Sequence, residues 1–120
     1  MRLPVSIPTA LERYRHRAPV VVAIEPEPQP ERLQWWEAAA PPIAGTGAAL
    51  AVVTPEPVTL HGAVNVAGWT LGLPSAKSPR VWILDAYLEP RAHLDAASLD
   101  PGLLHQVLTW IEGIQHECPE

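Results

Sequence analysis

Glu25 and Asp85 stand where a sheet protein would carry out chemistry, each directly after an apolar run, Val20–Ile24 and Val81–Leu84. Ligands of open α/β sheets gather beyond the carboxyl ends of the strands, so if the two runs are parallel neighbours the carboxylates meet. Such a pair can bind a divalent cation, or hold one carboxyl protonated for acid–base work because adjacent like charges resist ionising together. The simpler role is that each acid ends its strand by accepting backbone or arginine hydrogen bonds. No third ligand or base stands in a motif with them, which favours the simpler role.

A second group invites a metal reading: His105, Glu112 and His116, with Cys118 just beyond. The spacing argues against it. The two histidines are eleven residues apart, about 16 Å along a helix, whereas a zinc site built on one helix pairs its histidines at i and i+4. Only Glu112 and His116 could share an ion, and two ligands are too few, so this is a solvated helix face and no metal or cofactor is expected. Gly45-Thr-Gly47 resembles a phosphate loop, but the segment after it, ending Val52-Val53-Thr54-Pro55, has strand character. A dinucleotide fingerprint needs a helix there, whose N-terminus meets the phosphate. The sequence has no Gly-x-Ser-x-Gly, Walker or Cys-x-x-Cys motif, and a single cysteine cannot form an internal disulfide.

Five tryptophans with no phenylalanine is an unusual aromatic set. Trp69, Trp82 and Trp110 fall at the apolar phases of their elements and are expected in the core, or on the wall of a pocket. Trp35 and Trp36 are adjacent, and neighbours on a helix point about 100° apart. Trp36 shares a face with Leu33 and Ala40 and is assigned to the interior. Trp35 is left near the surface, where an exposed indole suits a binding hot spot.

The elements that must position these residues are short, because 15 prolines divide the chain. Pro8–Arg17 predicts a short helix, with Thr9 as its N-cap and Glu12 completing a capping box. Four buried-type or bulge-containing strands are expected over Val20–Ile24, Ala48–Val53, Val64–Leu73 and Arg80–Asp85. In the last of these Val81 and Ile83 should face one layer, and Trp82 and Leu84 the other. Glu31–Ala40 predicts a helix that Pro41-Pro42 ends, Val58–Leu60 a short edge strand, and Arg91–Ala97 one or two helical turns. Asp100-Pro101 opens an amphipathic C-terminal helix, since aspartate caps well and proline fits the first helical position. The fold class that results is α/β: residues 1–120 as a single small domain, about four strands covered by helices, with residues 1–18 as a basic N-terminal helix or arm.

Charge narrows the function classes. The net charge is −5, yet residues 1–20 hold four arginines against Glu12 alone, which makes that segment +3 and the remainder −8. An acidic body with one lysine does not suit nucleic acid, whose phosphates are bound by clustered Lys and Arg. With no run of about 20 apolar residues for a membrane, the expectation is a cytoplasmic, non-catalytic protein that binds another protein or a second copy of itself, as an accessory, inhibitor or adaptor. Trp35, Arg13 and Arg17 are its expected contact residues. The alternative is a small-molecule-binding or hydrolytic domain using Asp85 and Glu25 beside a tryptophan-lined cavity.

Overall fold

β-Branched residues lose little on entering a pleated strand and pack well there, and the two runs richest in them form the middle of the sheet. The computed structural model describes residues 9–68 and 78–117. Among these, β1 (Val20–Ile24), β2 (Ala49–Thr54), β3 (Val64–Ala67), β4 (Arg80–Leu84) and β5 (Pro90–Asp95) form one sheet of order β3-β2-β1-β4-β5. β1 pairs in parallel with β2, and β2 with β3. β4 runs antiparallel to both β1 and β5. The sheet is therefore mixed, and α1 (Thr9–Glu12), α2 (Pro30–Gly45) and α3 (Pro101–Glu117) complete the domain.

Each face of the sheet has its own core. Val21, Ala23, Leu50, Val52, Val81 and Ile83 meet Trp36, Ala39, Ala40 and Ile43 of α2 and Leu103, Val107, Ile111 and Ile114 of α3. Val20, Val22, Ile24, Ala51, Val53, Trp82 and Leu84 face the other way and pack with Leu11 and Leu88. The expected division of β4 is thus observed, as is its position beside β1.

Several expectations are corrected. α2 does not stop at Pro41-Pro42 but continues to Gly45. The two prolines are exposed, as is Ala38, so a carbonyl released from its helical partner there is open to water. Ile43 one residue on is fully buried and draws the chain forward. Gly47 then closes the helix at φ +92, donating its N–H to the Ala44 carbonyl at 2.9 Å. Residues 91–97 are not helical: Pro90–Asp95 is the edge strand β5, paired with β4 over Arg80↔Asp95 to Ile83↔Ala92. Ala92 and Leu94 face the α2–α3 core while Arg91, His93 and Asp95 alternate outward.

The first helix is also shorter than the expected Pro8–Arg17, of which Pro8 lies outside the described residues. It ends at Glu12, and His16 adopts a left-handed φ of +65. Glu12 does not complete a capping box; its carboxylate takes two hydrogen bonds from Arg15, which hold its pKa below the usual carboxylate range. Val58–Leu60 forms no strand. β3 ends at Ala67, where Gly68 turns at φ +78, and the expected continuation over residues 69–73, with Trp69, lies outside the described residues. Trp110 is 41% exposed rather than buried. On an ideal helix it lies roughly 60° to one side of the buried stripe.

Candidate functional site

The C-terminal end of β1 carries the most constrained polar cluster among the described residues. Glu25 extends the β1–β2 ladder by one bond, its N–H reaching the Val53 carbonyl at 2.9 Å. In phase with Val21 and Ala23, it sends its side chain beneath α2, where it is fully buried. The first turns of α2 supply the partners. Arg32 donates Nε to Oε1 at 2.6 Å and Nη2 to Oε2 at 2.9 Å, and Trp36 donates Nε1 to Oε2 at 2.8 Å. Arg32 also reaches the Ala97 carbonyl at 3.1 Å and the Ala96 carbonyl at 2.5 Å. One guanidinium thus joins β1, α2 and the segment leading into α3.

A carboxylate clamped by a fork of two N–H bonds and an indole has its charge balanced and its lone pairs directed at donors. It is poorly placed to take a proton from, or attack, a substrate. Removing either member of such a buried pair leaves a bare charge and typically costs about 3–5 kcal/mol. The cluster is a structural staple, which is the arginine-bound role the sequence allowed.

Asp85 does not meet it. Because β1 and β4 are antiparallel, Val20 lies opposite Leu84 and Ile24 opposite Arg80. The two carboxylates are therefore at opposite ends of the β1–β4 pair, about 20 Å apart for six residues at roughly 3.3 Å each. The premise of parallel neighbours is overturned, and with it any ion or proton shared between them. Asp85 instead organises the β4–β5 turn: Oδ1 accepts the N–H groups of Tyr87 at 2.9 Å and Glu89 at 3.1 Å, and Oδ2 lies 3.6 Å from Arg91 Nη1. Leu88 within that turn has φ +62.

The residues expected at a contact surface sit on different segments, Trp35 on α2 and Arg13 and Arg17 just after α1. Trp35 is half-buried, edge-on to Trp36 at 5.0 Å, and packs against the main core, so it is not the free surface indole the helix projection suggested. Arg13 is exposed and bound to the Tyr14 hydroxyl at 2.7 Å; Arg17 is exposed. A cleft of about 380 Å³ beside α2 is lined by Arg13, Tyr14, alanines and Gly62 rather than by indoles. Among the described residues no group of three His, Cys, Asp or Glu side chains could hold a metal ion, and no helix is long and apolar enough to cross a membrane. What sequence reasoning missed was Arg32 and Trp36 as the partners of Glu25. Their i and i+4 spacing on α2 was the available signal.

No protein-family model matches the chain, and no curated protein matches it. Solved structures do. The mitochondrial 2-Cys peroxiredoxin of Plasmodium falciparum superposes with a TM-score of 0.66 at 9% identity, covering 88% of this chain and 80% of that one. Xanthomonas campestris peroxiredoxin Q gives 0.64 at 14% identity, over 86% and 82%. The reduced N-terminal domain of PilB from N. meningitidis gives 0.58 at 14%, over 85% of each. At such identities the likeness defines the fold, and this is a single α/β domain of the thioredoxin-like fold. Peroxiredoxins are among the solved structures that share it, and that finding corrects the expectation of a non-catalytic accessory, inhibitor or adaptor.

Proposed function

We propose that the protein is a thiol-dependent redox protein that reduces peroxides, with Cys118 as the reacting sulfur. The observation that supports this reading is the fold, shared with the peroxiredoxins above. The end of β1 holds the closed Glu25–Arg32–Trp36 staple and no thiol, and Cys118, which lies outside the described residues, is the only cysteine in the sequence. Thiol chemistry in this chain therefore runs through that residue. In the reaction the Cys118 thiolate attacks one peroxide oxygen, the O–O bond breaks, and the leaving oxygen departs with a proton as water or an alcohol. The product is a sulfenic acid. Without a second cysteine in the chain, the sulfenic acid condenses with the thiol of another molecule, forming a disulfide and releasing water, and an external thiol then restores the starting state.

The partner in this reading is a second copy of the chain, joined through that disulfide. A reducing compartment such as the cytoplasm would keep the bond transient. The test is hydrogen peroxide consumption by the purified protein with dithiothreitol as reductant, alongside Cys118→Ser. The reading expects turnover that the serine variant loses, the mass of one added oxygen after brief peroxide treatment, and a dimer on non-reducing gels. Consumption by the wild type no faster than by Cys118→Ser, with Cys118 unmodified, overturns it.

A further inference from the structure

On the sheet face away from α2 and α3, Trp82 of β4 lies directly opposite His93 of β5, and their rings are stacked 4.1 Å apart at an interplanar angle of 8°. Trp82 is 6% exposed, and its Nε1–H is buried with no hydrogen-bond partner among the described residues. His93 is the outer ring of the pair and is exposed. The arrangement carries a standing cost, since a buried N–H without an acceptor has lost its hydration and gained no hydrogen bond in exchange. The two rings meet through stacking, the offset face-to-face contact that aromatic pairs favour.

We propose that the Trp82–His93 stack is a latch released by acid: when the solution is acidified His93 leaves the indole, and the Trp82 N–H gains water as its acceptor. Burial of the ring and the charged groups facing it set the sense. Arg80 on β4, two residues before Trp82, lies on the same face, paired across the strands with Asp95. Asp95 already accepts the Ala97 N–H at 2.8 Å, and Arg91, the other charged residue on β5 near His93, lies 3.6 Å from Asp85. On the far side β4 is flanked by Val22 of β1, which has no charge to offer. Burial against the indole, and then the Arg80 charge, hold the His93 pKa below its ordinary value. The stacked state therefore refuses a proton that the released ring, titrating near about 6.5, accepts. The stack is fully favoured above that pH and loses ground as pH falls from it toward the lower value of the stacked ring.

The opposing force is the attraction of an imidazolium for an indole face. If it dominated, His93 would titrate above its ordinary value and acid would tighten the stack. Nuclear magnetic resonance of the full chain, with labelled histidine rings and indole N–H groups, separates the two. The Trp82 signal is assigned by its loss in Trp82→Phe, and His93→Gln serves as the non-titrating reference. The latch requires three results: a His93 midpoint below about 6.5, a rise in that midpoint in Arg80→Gln, and Trp82 N–H exchange that accelerates relative to His93→Gln by up to about tenfold per pH unit between the two pKa values. A His93 midpoint at or above the ordinary value, or Trp82 N–H exchange with the same pH dependence in the wild type and His93→Gln, overturns it. Trp82 can be removed without losing the second readout, because the Arg80→Gln comparison uses only the histidine signal.

Discussion

Adjacent indoles on one helix share the space beneath α2 unequally. Trp36 is fully buried, packed among Ala39, Ala40 and Ile43, and its N–H satisfies Glu25. Truncation to alanine would open a large cavity and also leave a buried carboxylate oxygen short of a donor. We expect Trp36→Ala to cost about 4 kcal/mol or more. Trp35 is half-buried with its ring edge-on to Trp36, and for it the helix projection alone implied a loss below about 1 kcal/mol. The observed ring pair raises the expected cost of Trp35→Ala to about 1–2 kcal/mol. Urea melts of the two variants check both values. Equal losses would mean that the second indole is as deeply packed as the first.

Among the elements, α3 was the most legible from local sequence. Asp100 stands one residue before the helix, and its Oδ1 accepts the Leu103 N–H at 2.9 Å. That bond satisfies one of the four N–H groups that open every helix. Asp100→Ala should lower stability by about 1 kcal/mol, while Asp100→Asn, which keeps an acceptor oxygen, should lose markedly less. Thermal denaturation of the pair decides it, and similar losses in both would show that charge rather than the hydrogen bond matters. β5 was illegible for the opposite reason. Arg91 to Ala97 has a composition compatible with a helical turn, and its strand state comes from the ladder with β4. Long-range pairing overrides local preference most easily in short segments. The alternation of Ala92 and Leu94 with Arg91, His93 and Asp95 was a period-two signal, but two inward side chains are too few to outweigh composition.

For the whole molecule, stability comes from two cores, one on each face of the sheet, and the Arg32 fork fastens α2 to the end of β1 on one of those faces. Among the described residues no three His, Cys, Asp or Glu side chains are grouped to hold a metal ion, and we expect folding to proceed without one. Melting temperatures with and without a chelator should agree to within a degree or so, because a structural metal would add its binding energy to folding. A fall of several degrees on chelation would place a metal in the fold and contradict this.

The sequence by itself determined the class of fold, the two central strands and the capped C-terminal helix. These depend on periodicity and capping, which are local properties of contiguous residues. The division of β4 between two layers was legible for the same reason, since alternation follows from strand geometry alone. The tertiary structure decided the rest. Strand direction is one such property: the runs ending in Glu25 and Asp85 look identical whether β1 and β4 are parallel or antiparallel. Yet the antiparallel ladder sends their carboxylates to opposite ends of the sheet and dissolves the proposed pair. Arg32, seven residues after Glu25, becomes its partner because α2 folds back over the β1 end. The passage of α2 through Pro41-Pro42 likewise reflects the burial of Ile43. In each case the outcome was set by which surfaces meet, and the free energy of that meeting resides in contacts between segments rather than in any one segment's residues.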